Sequence, residues 1–389
     1  MVRHMFASTH KPANQGPLPV KIPLVDLRAQ NAPLTQELVH AVDLVLQSGR
    51  YSQGPDVERF EQAFAAFCDV ANAVAVSSGT SALHLACLAC GIGAGDEVIT
   101  TALTFVATVA AVQYCGARPI LVDVEPRAWT IDPAAVRRAI TPRTKAIIAV
   151  HLHGRPADMT ALSKLAREHN LVLIEDASQA HGAMVSRRRV GGIGDIGTFS
   201  FYPAKPLGAL GEGGAVVTND PKIAEKVRLL RNWGHMKEGV HSVAGFNMRM
   251  DAIQAAVLMV KLNHVQFWTA SRSRHAERYR DALDNLVDIP AALPDTSDVH
   301  HVFAIGAPER TAVRAALLAA GIETGMHYRR PVHLQPAYAN LGYREGDFPV
   351  AESVASRTLS LPLFAELDDQ QVDHVCCSIT RVLSDISRM

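Results

Sequence analysis

Short apolar runs alternate with amphipathic segments from about residue 21, and this alternation predicts strands and helices in turn. The clearest helical patterns between the runs are SALHLACLAC, TALSKLAREHN and KIAEKVRLLRN. Repeated alternation of this kind is typical of an α/β fold, in which helices cover both faces of a mostly parallel sheet. The predicted strands end at Val76, Thr100, Val124, Val150, Asp176, Phe201 and Thr218.

The pattern changes after the last of these runs. One long amphipathic helix is predicted from Met250 to Leu283, and weaker strand and helix signals follow it in HHVFAIGA and TAVRAALLAAGI. We therefore predict a large α/β domain over residues 21–262 and a smaller C-terminal α+β domain over residues 263–389. Residues 1–20 contain three prolines and no long apolar run, and we expect them to form a flexible tail.

Composition narrows the functional class. The 389 residues are 48% hydrophobic, and 38 basic residues balance 38 acidic ones, so the formal net charge is zero. No basic excess indicates a nucleic-acid partner, and no apolar stretch approaches the length of a membrane span. The first twenty residues lack the apolar core of a secretory signal. We expect a cytoplasmic protein with neither nucleic acid nor membrane as a partner.

A cysteine pair with CxxC spacing raises the question of a metal. Cys87 and Cys90 lie inside the apolar helical pattern TSALHLACLACGIG, and no second ligand pair at similar spacing accompanies them. We interpret both as buried small hydrophobic residues and expect no metal site.

A segment of small hydroxyl residues joins the first strand to the first of the clear helical patterns. Ser77, Ser78, Gly79, Thr80 and Ser81 stand where that helix begins. A helix N-terminus presents unpaired N–H groups and partial positive charge, so this segment is a candidate phosphate site. Taken alone, the segment is more readily interpreted as an ordinary Ser/Thr N-cap.

Two carboxylates end the fifth predicted strand, where LVLI leads into Glu175 and Asp176. A carboxylate at the end of a buried strand needs a partner, and a cationic ring nitrogen is a suitable one. The alternative is an Asp that caps the following turn.

Lys205 follows in a shaped loop. Pro203 and Pro206 exclude a regular helix through it, Ser200 precedes it, and glycines follow it in GALGEGG. A lysine in a desolvated pocket beside a cationic ring has a lowered pKa and can form a Schiff base. A solvated surface lysine is the alternative. Anion site, acidic strand end and loop lysine occur here in the order found in pyridoxal phosphate (PLP) enzymes.

Several long motifs carry a resemblance to a known family. They are GPDVERFEQAFAAF, SSGTSALHLA, ALTFVATVAAV, EDASQAHGA, FSFYPAKPLGALGEGGAVVTND, GFNMRMDAIQAAVL and HYRRPVHLQPAY. Together they resemble the PLP-dependent nucleotide-sugar aminotransferases of the DegT/StrS type, from about Ile22 to Val375. The resemblance implies fold type I, the aspartate aminotransferase fold, with a mostly parallel seven-stranded sheet in the large domain.

The resemblance also implies roles for single residues. Lys205 forms the Schiff base with PLP and then shuttles the proton, and Asp176 holds the pyridinium nitrogen. Gln179 contacts the ring hydroxyl, and Phe105 stacks on the ring, although plain core is its other reading. Gly79, Thr80, Ser81 and Ser200 bind the phosphate. Asn247 reaches the phosphate from the other subunit of a homodimer, and its alternative interpretation is a turn former.

The implied reaction takes an amino group from a donor, expected to be glutamate, through pyridoxamine phosphate to a nucleotide-linked keto deoxysugar. The C-terminal motif favours a dTDP sugar and its C3 position, with a C4-keto sugar or a cyclitol as alternatives. A sugar dehydratase of the same fold carries histidine at the lysine position, so Lys205 disfavours it. The substrate candidates are His327, Tyr328, His333 and Gln335, which alternatively only tie the two domains together.

Two further readings are weaker. GGIGDIG contains a GxGxxG pattern at Gly192, Gly194 and Gly197, which is found in dinucleotide-binding oxidoreductases. Here it follows a basic hairpin-like segment and precedes a strand, whereas the motif should join a strand to a helix. A regulator of the same fold needs a fused DNA-binding domain, for which residues 1–20 offer no room.

Overall fold

The computed structural model describes residues 21–237 and 239–386, so the predicted tail over residues 1–20 lies outside the described residues. The α-helices are α1 (Leu27–Asn31), α2 (Thr35–Ser48), α3 (Pro55–Phe67), α4 (Gly79–Ala89), α5 (Val106–Tyr114), α6 (Pro133–Ala139), α7 (Met159–His169), α8 (Pro221–Arg231), α9 (Ala252–Leu262), α10 (Val265–Leu283), α11 (Arg310–Ala319), α12 (Pro349–Arg357) and α13 (Asp369–Ile386). Short 3-10 helices span Ala32–Leu34, Leu152–Gly154, Val332–Leu334 and Pro336–Leu341.

The strands include all seven that the sequence predicts. They are β1 (Asn72–Val76), β2 (Glu97–Thr101), β3 (Arg118–Val122), β4 (Thr144–Val150), β5 (Val172–Asp176), β6 (Met184–Val185), β7 (Arg188–Arg189), β8 (Ile196–Ser200), β9 (Gly214–Thr218), β10 (His235–Lys237), β11 (Val240–His241), β12 (Thr296–Ser297), β13 (Phe303–Gly306) and β14 (Thr358–Leu361). The largest difference in a predicted strand end is at β3, which ends at Val122 rather than at Val124.

One seven-stranded sheet has the order β1-β9-β8-β5-β4-β2-β3. Strands β3, β2, β4, β5 and β8 pair in parallel, and β9 runs antiparallel to both of its neighbours, β8 and β1. The predicted mostly parallel sheet is therefore confirmed. Because only β9 is reversed, the carboxyl ends of the other six strands meet at one edge, which is where ligands bind in such sheets.

Alternate residues of the strands enter two separate cores. In β5, for example, Leu173 packs into the core beneath α3, α7 and α9, and Ile174 packs into the core beneath α4, α5 and α8. Successive side chains of a strand point to opposite faces, so both faces of the sheet are buried under helices. This arrangement explains why the strands read as continuous apolar runs.

Local sequence signals place the helix ends. The side chain of Asp158 accepts a hydrogen bond from Ala161 N at the start of α7, and Asn170 ends that helix in the left-handed conformation. Asp220 caps α8 in the same way, with Pro221 at the first helical position. These are the residue types that helix termini favour.

The long helix predicted from Met250 to Leu283 is wrong as a single element, because the structure has two helices, α9 and α10. The chain turns at Asn263 and His264, where His264 N donates to Lys261 O in a tighter turn. The two halves pack against different partners, α9 on α2 and α3 and α10 on α13. A straight helix could not reach both surfaces.

The segment after the turn has a core of its own, formed by α10, α11, α13, β13 and β14. The weak signals in HHVFAIGA and TAVRAALLAAGI correspond to β13 and α11. Ile22 also enters this core, because it pairs with Ile322 in a parallel bridge and is fully buried. The division at residues 262 and 263 stays a prediction, and the first described residues pack on the C-terminal side of it.

A further apolar cluster joins that segment to the carboxyl edge of the sheet. Leu103 and Val150 from the sheet side pack with Val332, Phe348 and Val354. Within residues 21–237 and 239–386, no helix is both long and apolar enough to cross a membrane.

Candidate active site

A cavity of about 560 Å³ opens at the carboxyl edge of the sheet, between the strand ends and the C-terminal segment. Its lining comes from the loops after β1, β2, β5 and β8 and from the segment around His327. Nine of the residues predicted for the site line it, and these are Gly79, Thr80, Phe105, Asp176, Gln179, Ser200, Lys205, His327 and Tyr328.

Lys205 lies in the loop that follows β8. Its backbone N–H donates to Tyr202 O at 2.8 Å, which closes a tight turn between Pro203 and Pro206. Burial lowers the pKa of Lys205 to about 8, and the nearby Asp176 carboxylate acts in the opposite direction. An amine that loses its proton near neutral pH can act as a nucleophile and as a proton carrier.

Asp176 ends β5 at the cavity and is only 6% exposed. Its Oδ2 accepts a hydrogen bond from Thr108 Oγ1 at 2.8 Å, and its Oδ1 accepts one from Ser178 N at 3.2 Å. The carboxylate is thus held in place, with lone pairs left for a cationic partner in the cavity.

Glu175, the other carboxylate of the strand end, points away from the cavity. It accepts hydrogen bonds from the backbone N–H groups of Gly191, Ile193 and Gly194 at 2.7–2.8 Å, and it contacts His151 Nε2 at 3.0 Å. Neighbouring residues of a strand face opposite sides. Glu175 therefore supports the loop of residues 191–194, called the glycine loop below, which holds Gly192 and Gly194 of the GxGxxG pattern. This loop leads into β8 rather than into the helix that a dinucleotide-binding motif needs.

The start of α4 forms the end of the cavity that suits an anion. Ser78 caps the helix and accepts from Ser81 N. Gly79 and Thr80 line the cavity, and the N–H groups of a first helical turn have no intrahelical acceptor. A Cβ at Gly79 would lie 2.6 Å from the Cβ of Ser200. Only glycine allows the helix start to approach Ser200 so closely.

Side chains above the strand ends form a connected polar and aromatic wall. Gln179 Nε2 donates to the Tyr328 hydroxyl at 3.0 Å, and Gln179 Oε1 accepts from His153 N at 2.7 Å. The Phe105 ring is 52% exposed and lies 5.7 Å from the Tyr328 ring, centre to centre. Phe105 is thus not plain core, because half of its surface is open at the cavity.

Comparison with known proteins agrees with this geometry. The model of the DegT/DnrJ/EryC1/StrS aminotransferase family matches residues 33–380. The chain belongs to this family. The aminotransferase fold is also that of the Streptomyces venezuelae DesV structure in complex with a ketimine intermediate, which matches with a TM-score of 0.92 and 45% identity over 93% of this chain and 98% of that one.

Three curated relatives cover nearly the whole aminotransferase. The erythromycin biosynthesis sensory transduction protein EryC1 of Saccharopolyspora erythraea is 47% identical over 92% of this chain and 98% of its own. The dTDP-3-amino-3,4,6-trideoxy-alpha-D-glucose transaminase of Streptomyces venezuelae is 46% identical over 91% and 94%. The UDP-N-acetyl-3-dehydro-alpha-D-glucosamine 3-aminotransferase of Acidithiobacillus ferrooxidans is 43% identical over 93% and 98%.

The enzyme is a PLP-dependent sugar aminotransferase, and its cavity fits that cofactor. A helix start without room for a Cβ beside Ser200 suits a phosphate, and the fixed carboxylate of Asp176 suits a protonated ring nitrogen. Lys205, with its lowered pKa, suits the aldehyde.

The structure adds residues to which the sequence analysis assigned no role. Thr108 bonds Asp176, and His301 lines the cavity beside Lys205. Burial, with the charge of Lys205, lowers the pKa of His301 well below its ordinary value, and its Nδ1 has no hydrogen-bond partner within the described ranges. The only signal for His301 was its position just before the apolar run VFAIGA. Nothing in the spacing indicated Leu24 and Val25, which also reach the cavity.

Four predicted site residues do not line the cavity. Ser81 turns its hydroxyl to Ser77 and Ser78 at 2.9 Å. His333 is buried against Glu352, with 2.9 Å between His333 Nε2 and Glu352 Oε1. Gln335 Nε2 donates to Arg330 O at 3.2 Å. The exposed Asn247 accepts from Arg249 Nε at 3.0 Å, so both side chains bond residues that are near them in the sequence.

Proposed function

We propose that the enzyme transfers the amino group of L-glutamate to the C3 keto group of a dTDP-linked deoxysugar. The observation that carries the proposal is the convergence of Lys205, Asp176 and the start of α4 on one cavity. The substrate is proposed from the 46% identity to a transaminase whose name specifies a dTDP-3-amino sugar. PLP, when bound, supplies an aldehyde that takes up the amino group and a ring that withdraws electrons from the reacting carbon.

Lys205 would bind the cofactor covalently and move the proton. Its Nζ is buried enough to be partly neutral at physiological pH, so it can attack the aldehyde carbon. With the cofactor and donor bound, the same Nζ would be the group that takes a proton from the donor Cα and returns it at the cofactor carbon.

Asp176 and the α4 start would orient the cofactor. Asp176 would pair with the ring nitrogen and keep it protonated, while Gly79, Thr80 and Ser200 would hold the phosphate. Phe105 would lie on the ring face, and the Gln179 amide would face the ring hydroxyl.

For the sugar we propose His327 and Tyr328, which line the cavity. His327 Nδ1 contacts Ser360 Oγ at 2.8 Å, and burial lowers the pKa of His327 to about 4, so it is neutral at pH 7 and offers a hydrogen bond rather than a charge. His333 and Gln335 bond other protein groups, and we give them the role of fixing the segment that carries His327.

Asn247 leads to the proposal of a homodimer with shared sites. It is exposed and does not line the cavity of its own chain, so any phosphate it contacts belongs to another subunit. Helix α2 exposes Val39 and Leu46 by more than half of their surface, which is apolar area for such a contact.

The decisive test of the chemistry is spectroscopic. L-glutamate should convert the visible absorption band of the cofactor-bound protein to the ultraviolet band of the amine form. Borohydride treatment before glutamate should attach the cofactor to Lys205 and not to Lys261, a matched control because burial lowers its pKa to about 8 as well. Attachment at Lys261, or at neither lysine, would refute the assignment. A lower KM for a dTDP than for a UDP keto sugar tests the substrate.

The shared site is tested by mixing two inactive variants. In a heterodimer of Lys205→Ala and Asn247→Ala chains, one site receives both native residues if Asn247 acts across the interface. Activity should then return on mixing and refolding. If each chain supplied its own Asn247, neither site would be intact, and the mixture would stay at the level of the parents.

The name of the Acidithiobacillus relative supports a second candidate, a UDP-linked 3-keto sugar. It requires the same chemistry at Lys205 and differs in the nucleotide and in the substituents of the sugar. A reversed KM preference in the substrate comparison would favour it.

A further inference from the structure

Two buried threonine hydroxyls stand in line behind Asp176. Thr108 Oγ1 lies 2.8 Å from Asp176 Oδ2, and Thr104 Oγ1 lies 2.9 Å from Thr108 Oγ1. Thr104 is 3% exposed and Thr108 is 1% exposed, so bulk water does not compete for these bonds.

The direction of the two hydrogen bonds follows from the one that Asp176 accepts. Thr108 donates its only hydroxyl hydrogen to the Asp176 carboxylate. The contact between the two hydroxyls must then be a donation from Thr104 to Thr108. Hydrogen bonds in such a chain polarise one another, so the Thr104 hydroxyl strengthens the bond that Thr108 makes.

Both threonines belong to the turn that also carries Phe105. Thr104 and Phe105 immediately precede α5, Phe105 is its N-cap residue, and Thr108 is in its first turn. One short turn after β2 therefore presents a ring at the cavity and holds the carboxylate at the end of β5, two strands away in the sheet.

We propose that Thr108, supported by Thr104, is a positioning residue that orients the Asp176 carboxylate toward the ring nitrogen of the cofactor. The inference rests on the proposed role of Asp176. Among the residues that the structure describes, its other oxygen accepts only the longer bond from Ser178 N, at 3.2 Å, so the Thr108 bond is the main restraint on rotation of the carboxylate. Freed from it, the carboxylate would turn and pair less well with the ring.

The test replaces the hydroxyl with a methyl group. Thr108→Val should raise the dissociation constant for PLP about tenfold, which corresponds to a loss of about 1.4 kcal/mol, because the loosened carboxylate pairs less well with the ring nitrogen. It should also weaken the visible circular dichroism of the bound cofactor and move the pH at which its absorption changes. Thr108→Ser keeps the hydroxyl and should restore all three readouts.

Thr100→Val is the matched control. Thr100 is fully buried in strand β2, which precedes the Thr104–Thr108 turn, and donates to Ile148 O at 3.1 Å, but it does not line the cavity. It should cost stability without changing the cofactor signals. If Thr108→Val changed those signals no more than Thr100→Val does, Thr108 would be merely structural and the inference overturned.

Two more variants complete the design. Thr104→Val removes the donor to Thr108, should shift the same readouts by a smaller factor, and serves as the test if Thr108→Val does not fold. Asp176→Asn separates the two proposals. If it leaves the cofactor signals unchanged, the role of Asp176 itself is refuted. If it alters them while Thr108→Val matches the wild type, only the inference on Thr108 fails.

Discussion

Glu175 is the residue whose replacement tests the architecture beneath the site most directly. Each of its carboxylate oxygens receives two donors: Ile193 N and Gly194 N on Oε1, and Gly191 N and His151 Nε2 on Oε2. His151 Nε2 carries the hydrogen, because Ala157 N donates to His151 Nδ1. In Glu175→Gln the amide nitrogen must replace one of these oxygens, and in either orientation it faces two donors.

The expected loss follows from this count. Two hydrogen bonds to a charged acceptor disappear, each contributing roughly 1.5–3 kcal/mol, so the free energy of unfolding should fall by about 3–6 kcal/mol. The glycine loop that these bonds anchor leads into β8, and Asp176 directly follows Glu175 in the chain. Because both lead to the cavity, the affinity for the cofactor should fall as well.

The assay is guanidinium unfolding of the apoprotein, followed by far-ultraviolet circular dichroism at one fixed protein concentration. Glu168→Gln is the control, since Glu168 pairs with Arg137 and Lys164 at the surface and its loss should cost less than about 1 kcal/mol. If the two variants unfolded within about 1 kcal/mol of each other, the argument that Glu175 is a buried anchor would be wrong.

Two other predictions concern the cavity. Gly79→Ala places a methyl group against Ser200 and should weaken PLP binding about tenfold or more. Gly93→Ala, whose Cβ would meet only Cys115 O at an ordinary contact distance of 4.0 Å, should bind PLP normally in the same titration. Lys205 has a pKa lowered to about 8 from its ordinary 10.5, so between these pH values the unfolded chain binds more protons and stability rises with pH. In unfolding measurements on the apoprotein, Lys205→Met should therefore be more stable than wild type at pH 7 and lose that advantage toward pH 10.5. A difference in the free energy of unfolding that stays constant over this pH range would contradict the burial of Lys205.

Much of the site was predictable because the motifs lie at strand ends, and the parallel sheet brings those ends together. Apolar runs fixed the strands, and parallel strands bring their carboxyl ends together, so motifs at strand ends far apart in the chain had to meet. Gly79, Asp176 and Lys205 belong to such motifs, and all three line the cavity.

Other features were not readable from the pattern. The division of the helix between Met250 and Leu283 depends on which surfaces its two halves cover, and a periodic apolar face looks the same in one helix as in two. His333 has the composition of a site residue, yet the distant Glu352 holds it inside the protein.

The sequence by itself determined the α/β class, the order of the strands along the chain and the residue types that suit a phosphate, a ring nitrogen and an aldehyde. Only the tertiary structure decided which polar groups share the cavity. It turned Glu175 to the loop and Asp176 to the site, placed Thr108 behind Asp176, and brought His301 beside Lys205. The physical reason is that hydrogen-bond partners are chosen by distance in space, and sequence spacing fixes that distance only within one element.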